Sequence, residues 1–579
     1  MFPYGDQSPP LRHAGIADHL AKRAQLSPSA LEDFTEPEPI VEHLLDLFWT
    51  YQASHVLVVD RHIFLRHRRL ARESDGIGDR KFYTPCLLYS ILALASLIST
   101  DKGVRRYSTP PEGIAGDWFN QRARILFEAE MEVPTVTTVQ AAILIGSRYG
   151  TFVDSSLGWT FSGIAFRMAT KLGLQLDCSR VVAMGEMSEE EAQNRSVTFW
   201  GSYVEDRLFS AYRQRPMMLM DWDITIARPR AQAQANPHMS PNYLPFTVLL
   251  NRLCGETLLG LYGQRHYNSQ NGGLNKIASN IHRQLCEWQQ NLPTDLSWPA
   301  IGSMAPTAPS VLVLHMHFYY NLILLHRPFL EFSKVLREIS QGPNALTTST
   351  TTCAIAAANI VRLVHDYREH YNIRQISPNA VHITFIAATI HLINFRLTNT
   401  DSHDHLLHGC VIALSELQDS YPMARRALEI LHTLIDRFGP LDSGQPGQDA
   451  SIANQNPQSE KCSRGTPSPT VTNNQQTDSL LPSYPWALDS LLDDWSEPLE
   501  VPSLMDFDCL PGTSGAMEET IQDYERFAPN AQSSGSAPIA GFNDPGFPLL
   551  GMDLDISGVL EMENRGLFDV FYGRTYGLG

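Results

Sequence analysis

From Ile40 to Phe438 one pattern dominates: large apolar side chains recur three or four positions apart, and alternating runs of strand type are nearly absent. In IVEHLLDLFWTYQASH, Leu44, Leu47, Phe48 and Tyr51 fall at i, i+3, i+4 and i+7, one face of an amphipathic helix. The same spacing predicts helices over Trp118–Met131, Thr135–Tyr149 (with Thr135 or Thr137 as N-cap), Leu157–Leu174, Gln193–Tyr212, Asn242–Tyr267 and Leu274–Gln290. It continues over Val311–Leu336, Ser349–Tyr371, Ala380–Leu397, Leu406–Tyr421 and Ala424–Phe438. With no βαβ spacing and no fixed repeat, the expected fold is all-α, with about twelve to fifteen helices.

Phe82–Thr100 has no charged residue, but Tyr89, Ser90 and Ser96 interrupt its apolar run and Thr84-Pro85 opens it. A buried helix over Leu87–Ile98 is the reading, not a membrane span. The first fifteen residues contain no apolar core of secretory type, and a soluble protein is expected.

At Gly439-Pro440 the pattern stops. Ser443–Pro482 is rich in Ser, Thr, Gln, Asn, Pro and Gly, with too little apolar surface to offset the entropy of ordering. Charge divides at the same place. Residues 441–579 hold 21 acidic and 5 basic residues, leaving 41 and 39 in the preceding 440, so nearly all of the net charge of −18 belongs to the tail. Neither part has the clustered Lys and Arg with which a domain grips phosphate. The expected organisation is a flexible arm over 1–39, a helical regulatory domain over 40–439, and a disordered acidic tail over 440–579.

Two islands in that tail mix carboxylates with bulky apolar groups, over 484–510 and 547–572. In the first, Leu488, Leu491, Leu492 and Trp495 stand at helical spacing among Asp489, Asp493 and Asp494, preceded by Trp486 and followed by Phe507 between Asp506 and Asp508. Pro498 and Pro502 keep any helix short, so it would form only on a partner. Acids that hold aromatic and aliphatic groups in solvent are the logic of an acidic activation segment; a solubilising tail packed back on the body is the bland alternative.

Cysteine spacing excludes local zinc sites: the eight cysteines come no closer than 32 residues and form no CxxC.

Four segments of the body carry a resemblance. They are His43–Leu65, which ends in an apolar-Asp-Arg-x-x-Phe run, and Leu157–Ser179, with Trp159, Gly163, Arg167 and Gly173. The third is Arg195–Ile224, with Trp200, Tyr203, Asp206, Arg207, Arg215 and Pro216, and the fourth is Leu314–Leu330, with Arg327 and Pro328. Together they resemble the regulatory middle region of fungal-specific transcription factors, a family that usually has Gly where Gln214 stands here. Cys353-Ala354 and YPMARRALEIL fit the subgroup resembling regulators of nutrient use and secondary metabolism.

The resemblance implies a nuclear regulator, dimeric with itself or a relative, recruiting coactivators through the tail and having no membrane partner. It also implies an N-terminal binuclear zinc cluster, for which this sequence has no ligands. DNA contact is therefore expected from a segment missing from the sequence or from a partner, with zinc only there and no cofactor in this chain. Trp200, Tyr203 and Leu208 make one apolar helical face, Asp206-Arg207 beside them a partly buried pair, and Arg215-Pro216 a helix stop. All are read as packing positions.

Catalysis finds little support. Asp493-Asp494-Trp495-Ser496-Glu497 fits a magnesium-binding DDxxE pattern but lies in the proline-rich tail. His403, His405 and His408 look like a solvated helix start, and His315 and His317 sit on different helical faces. No nucleophile-elbow, phosphate-loop or zincin motif occurs. The favoured reading is an activator of a metabolic gene set. A co-regulator that cannot bind DNA and pairs with a zinc-cluster factor comes second, and an all-α magnesium enzyme a distant third.

Overall fold

Between Glu38 and Glu73 the chain makes two helices. The first, α1 (Glu38–Leu47), opens into a wider turn over Phe48–Gln52, closed by the Ala53 amide on the Phe48 carbonyl at 2.8 Å. After a loop, Asp60 starts α2 (Arg61–Glu73) by accepting the His62 and Ile63 amides at 2.9 and 3.1 Å. The computed structural model describes residues 37–73, 81–105, 114–152, 156–213, 215–230, 238–262, 271–299, 306–330, 348–398 and 401–438. The expected tail, with Trp486, Leu488, Leu491, Leu492, Trp495 and Phe507, and most of the expected N-terminal arm lie outside these residues.

Sixteen α-helices and no strands occur among the described residues, two of the helices being only four and five residues long. Thr84 caps α3 (Pro85–Ala95) by accepting the Leu87 amide, and Pro85 supplies a first-turn residue that lacks the amide helices leave unpaired there. The short α4 (Lys102–Arg105) leads to α5 (Asp117–Glu130). Thr135 and Thr138 form a capping box on α6 (Val136–Gly150). Then follow α7 (Ser156–Lys171), α8 (Ser179–Ala183) and the long α9 (Glu189–Arg213), then α10 (Tyr243–Thr257) and α11 (Asn271–Gln290). The last five are α12 (Pro309–His326), α13 (Thr348–His370), α14 (Asn379–Thr398), α15 (Asp401–Leu417) and α16 (Pro422–Phe438).

Neighbours in sequence pack in pairs: α6 on α7, α12 on α13, and α14 on α15 and α16. Helix α12 is buried on every side from Ser310 to His326, which is why its apolar residues show no one-sided stripe. Phe82–Thr100 forms α3 and a following 3₁₀ turn inside the core, and no described helix is long and apolar enough to cross a membrane.

Polar bonds tie early helices to late ones. Gln52 Nε2 donates to Tyr421 Oη at 3.1 Å, Tyr243 Oη to the Ser54 carbonyl at 3.2 Å, and the Met423 amide to the Thr151 carbonyl at 3.0 Å. Arg148, fully buried, donates to the Ala93 carbonyl (2.6 Å) and to Asp117 (2.8 Å), joining α3, α5 and α6; Asp117 offsets the burial that pulls the guanidinium pKa down. A buried cation needs such a partner, since desolvation alone outweighs what its packing returns.

Candidate functional site

Helix α9 carries the motif residues closest together. Near its middle the side chains on every face are buried, so its polar groups must find partners inside the protein. Trp200 Nε1 donates to the Ala227 carbonyl at 3.0 Å, and its ring meets Tyr203 edge-on at 5.3 Å. The Arg207 guanidinium lies 3.5 Å above the Tyr203 ring, donates to Asp206 at 3.1 Å, and donates to Asp221 at 2.8 Å. Tyr203 Oη donates to the same Asp221 oxygen at 2.8 Å.

Asp206 has a second task. Its carboxylate accepts the backbone amides of Met218 (3.0 Å) and Leu219 (2.9 Å), catching the chain just after Arg215-Pro216 has ended the helix. Burial pushes the Asp206 carboxyl pKa up, while Arg207 and the two amides pull against it. The pair expected to be partly buried is almost completely so, each side chain about 2–3% exposed. Desolvated cation–π contact with Tyr203 adds about 2 kcal/mol.

The other half of α9 grips the loop between α1 and α2. Gln140 Nε2 donates to the Val58 carbonyl at 2.9 Å and to Thr198 at 2.8 Å, while Thr198 donates to the same carbonyl at 3.2 Å. Gly201 makes room for this approach, because a Cβ there would overlap the Leu57 carbonyl.

The motif residues of α7 divide by face. Gly158, Ser162, Ala165, Phe166 and Ala169 are buried. A Cβ on Gly158 would stand 2.9 Å from the Gly146 carbonyl oxygen and the Gly150 nitrogen, so this is the close helix crossing. Gly163 meets nothing nearer than Met218 Sδ at 3.7 Å. Gly173, at φ +65°, ends α7 in a left-handed turn with the Leu174 amide on the Ala169 carbonyl at 3.0 Å.

Five positions read as packing are exposed. Trp159 is 44% exposed and Arg167 is exposed, each one residue out of step with the face α7 turns to α6. Arg215 and Pro216 are exposed because the Asp206 capture acts on the residues after them; the Arg215 guanidinium lies 5.7 Å from the Trp159 ring. Pro328 is exposed and Arg327 half-buried, in the 3₁₀ turn that ends α12.

The basic run Arg61–Arg72 is engaged internally. Arg68 donates to Glu38 (2.8 Å) and Glu42 (2.6 Å), Arg72 pairs with Glu38, and Arg66 with Glu190 of α9. His315 Nε2 donates to the Leu296 carbonyl at 2.8 Å, while His317 faces Tyr212 and Asn379, so the two histidines point apart as expected. Of the His403 group, residues 401–404 have no described side chains and His405 is exposed at the start of α15. His365, Asp366 and Glu369 place three donor atoms within reach of a common point on α13, and Trp298 Nε1 donates to Asp366 at 2.6 Å. That set is partly exposed, and nothing beside it points to an ion.

Sequence reasoning missed Glu205 and His55. Glu205 is 2% exposed next to Asp206, His55 is buried in the loop after α1, and only the burial of the surrounding helices makes either unusual.

Comparison with known proteins bears on the same body. Residues 45–288 match the family model described as the fungal specific transcription factor domain. The chain is 27% identical over 429 residues to the nitrogen assimilation transcription factor nit-4 of Neurospora crassa, covering 70% of this chain and 37% of the relative. It is 29% identical over 422 residues to the nitrogen assimilation transcription factor nirA of Emericella nidulans, covering 69% and 44%. An uncharacterized transcriptional regulatory protein of Schizosaccharomyces pombe is 25% identical over 425 residues, covering 69% and 63%. The chain thus spans less than two thirds of the length of each of these relatives.

Proposed function

We propose that the chain, whose residues 45–288 match the fungal specific transcription factor domain, is a nuclear regulator of transcription acting on a nutrient-use gene set. The observation that carries this reading is the family match falling on the helical body, supported by two relatives named for nitrogen assimilation. The regulatory unit runs over 40–439, beyond the matched residues. In support, Tyr421 and Met423 of the last helical pair bond to Gln52 and Thr151, so the late helices share a core with the early ones.

The acidic segment 440–579 recruits coactivators through the islands at 484–510 and 547–572, the composition-based part of the reading. DNA contact comes from a segment outside these 579 residues or from a partner. The sequence has no paired-cysteine ligand set, and its most basic helix pairs Arg66, Arg68 and Arg72 with carboxylates. That observation also keeps a second reading in view, a co-regulator that reaches DNA by pairing with a DNA-binding relative. Transcript profiling of a strain lacking the gene, before and after a change of nitrogen source, tests the proposal. Loss of induction for a coherent set of assimilation genes is expected, and an unchanged response overturns it. Chromatin occupancy of the chain, measured with and without candidate partners, separates the two modes.

A further inference from the structure

A groove of about 70 Å³ opens between the loop that joins α1 to α2, the first half of α9 and the start of α10. Its walls are mainly apolar, with Leu57, Val59, Val197 and Leu244 among them. Two arginines line it as well, Arg61 at the head of α2 and Arg230. A volume of this size holds about five to seven non-hydrogen atoms, taking 10–15 Å³ for each water-sized centre.

Its cations lack a counter-charge. Arg61 Nε is buried with no hydrogen-bond partner, and no ion pair reaches Arg61 or Arg230 among the described residues. Arg148, Arg207, Arg252 and Arg374 also bury an unbonded Nε, but each holds a carboxylate through another nitrogen. Within α2 itself, Arg66, Arg68 and Arg72 all pair with glutamates. The carboxylate beside Arg61 is engaged elsewhere: Asp60 Oδ1 accepts the His62 and Ile63 amides at 2.9 and 3.1 Å. The neutral polar side chains of the lining are committed too. Ser240 Oγ donates to Asp295, and Tyr243 Oη to the Ser54 carbonyl at 3.2 Å.

Guanidinium groups stay charged at every pH a folded protein meets, so the cationic character of this groove is fixed. Against its two arginines stands the one carboxylate of Asp60, and a single further negative charge brings the set to neutrality. A carboxylate meets a guanidinium with short, charge-assisted bonds. The apolar walls favour a hydrocarbon body on that carboxylate, which an inorganic anion lacks. A cation would be repelled, and a neutral apolar molecule would bury Arg61 further without giving it a partner. We propose that this groove binds a small monocarboxylic acid with a short aliphatic chain, of the class of butyrate and isovalerate. Its carboxylate pairs with Arg61 and is attracted by Arg230, while its chain lies against the apolar walls.

Binding here is read out as heat, so it stands or falls separately from the transcriptional proposal. In calorimetric titration of the full chain, isovalerate is expected to bind saturably at one site. Each methylene added from acetate to butyrate is expected to raise affinity about threefold to fourfold, as burial of a CH₂ group does. Isovaleramide, of the same shape without the charge, is expected to bind at least about tenfold more weakly. Arg61→Met is expected to lower isovalerate affinity by about tenfold or more. Arg230→Gln, at an exposed position, is expected to lower it by about threefold, which keeps the test open should Arg61→Met fold poorly. No saturable heat with isovalerate, or equal affinity for isovalerate and either acetate or isovaleramide, would overturn the proposal. So would an unchanged isovalerate affinity in Arg61→Met, or in Arg230→Gln where that variant stands in for it. Binding of a peptide of residues 484–510 in place of the acid would assign the groove to the acidic segment of the chain itself, and would overturn the proposal as well.

Discussion

Asp206→Ala removes one side chain that serves two structures at once. Arg207 is 2% exposed and would keep only Asp221, itself half-exposed, as its carboxylate partner. The amides of Met218 and Leu219 would lose their acceptor, and the chain after Pro216 would lose its anchor to α9. Breaking a buried ion pair costs about 3–5 kcal/mol, and each unsatisfied amide about 1–3 kcal/mol where water cannot reach it. These costs overlap, so about 4–6 kcal/mol is expected, a large share of the roughly 5–15 kcal/mol by which domains are stable. Asp206→Asn keeps one oxygen for the amides and turns an N–H₂ toward Arg207, and about half that loss is expected.

The mechanism makes a sharper claim in a double-mutant cycle. Arg207→Met removes the cation that Asp206→Asn would strand, so the double variant is expected to be more stable than the sum of the two losses by about 1–3 kcal/mol. Urea unfolding of the full chain, followed by far-ultraviolet circular dichroism, measures all four corners. Additivity within about 0.5 kcal/mol, or a loss below about 1 kcal/mol for Asp206→Ala, would refute the coupled hub.

Three further perturbations separate positions that look alike in sequence. Gly201→Ala drives a Cβ into the Leu57 carbonyl and is expected to cost more than about 2 kcal/mol, whereas Gly163→Ala has room and should be neutral or stabilising by up to ~1 kcal/mol; the same unfolding curves compare them. Trp200→Ala empties a buried site and is expected to cost about 3–5 kcal/mol, against no more than about 1 kcal/mol for Trp159→Ala, which is 44% exposed. Acid should unfold the body. Burial holds His55 and His382 down to about 3 and His315, His317 and His326 down to about 4, with smaller contributions from His317 on His55, from Arg213 and Arg327 on His382 and from His282 on His326. Such groups contribute stability in full above the unfolded value near 6.5, and lose it as pH falls toward their folded values. Glu205, pushed up to about 7 mainly by burial, works the other way: its contribution is full below its ordinary value of 4.5 and is lost as pH rises through about 7. Among these six groups, five against one leave a net loss of about 5 kcal/mol per pH unit below pH 6. An unfolding midpoint between about pH 5 and 6 is expected, and a stability that stays flat to pH 4 would contradict the assignment.

How much of this was legible in the sequence follows from what each residue answers to. Helices declare themselves through local spacing, so α5, α6, α7 and α9 fall within a few residues of their expected bounds. Helix α2 was not expected, because Arg61–Arg72 holds five Arg and two His among its twelve residues. In the candidate site, neighbours in the chain such as Asp206 and Arg207 could be paired on sight, and Arg215-Pro216 marked a helix end. Trp159 and Arg167 look like core by type, but their exposure depends on which face of α7 meets α6, and the Gly146, Gly150 and Gly158 crossing decides that. The surroundings of Glu205 and His55 were out of reach altogether. Ser147, Glu205, His55 and Asn379 come from four separate stretches of chain, and their meeting is a property of packing.

The role of the acidic segment is decided most directly by tethering. Residues 440–579 joined to an unrelated DNA-binding domain, upstream of a reporter, are expected to activate transcription well above the DNA-binding domain alone. Alanine at both Leu492 and Trp495 is expected to remove most of that signal while leaving the charge unchanged. Reporter output at background, or output that survives loss of the two side chains, would contradict activation through the apolar groups of 484–510.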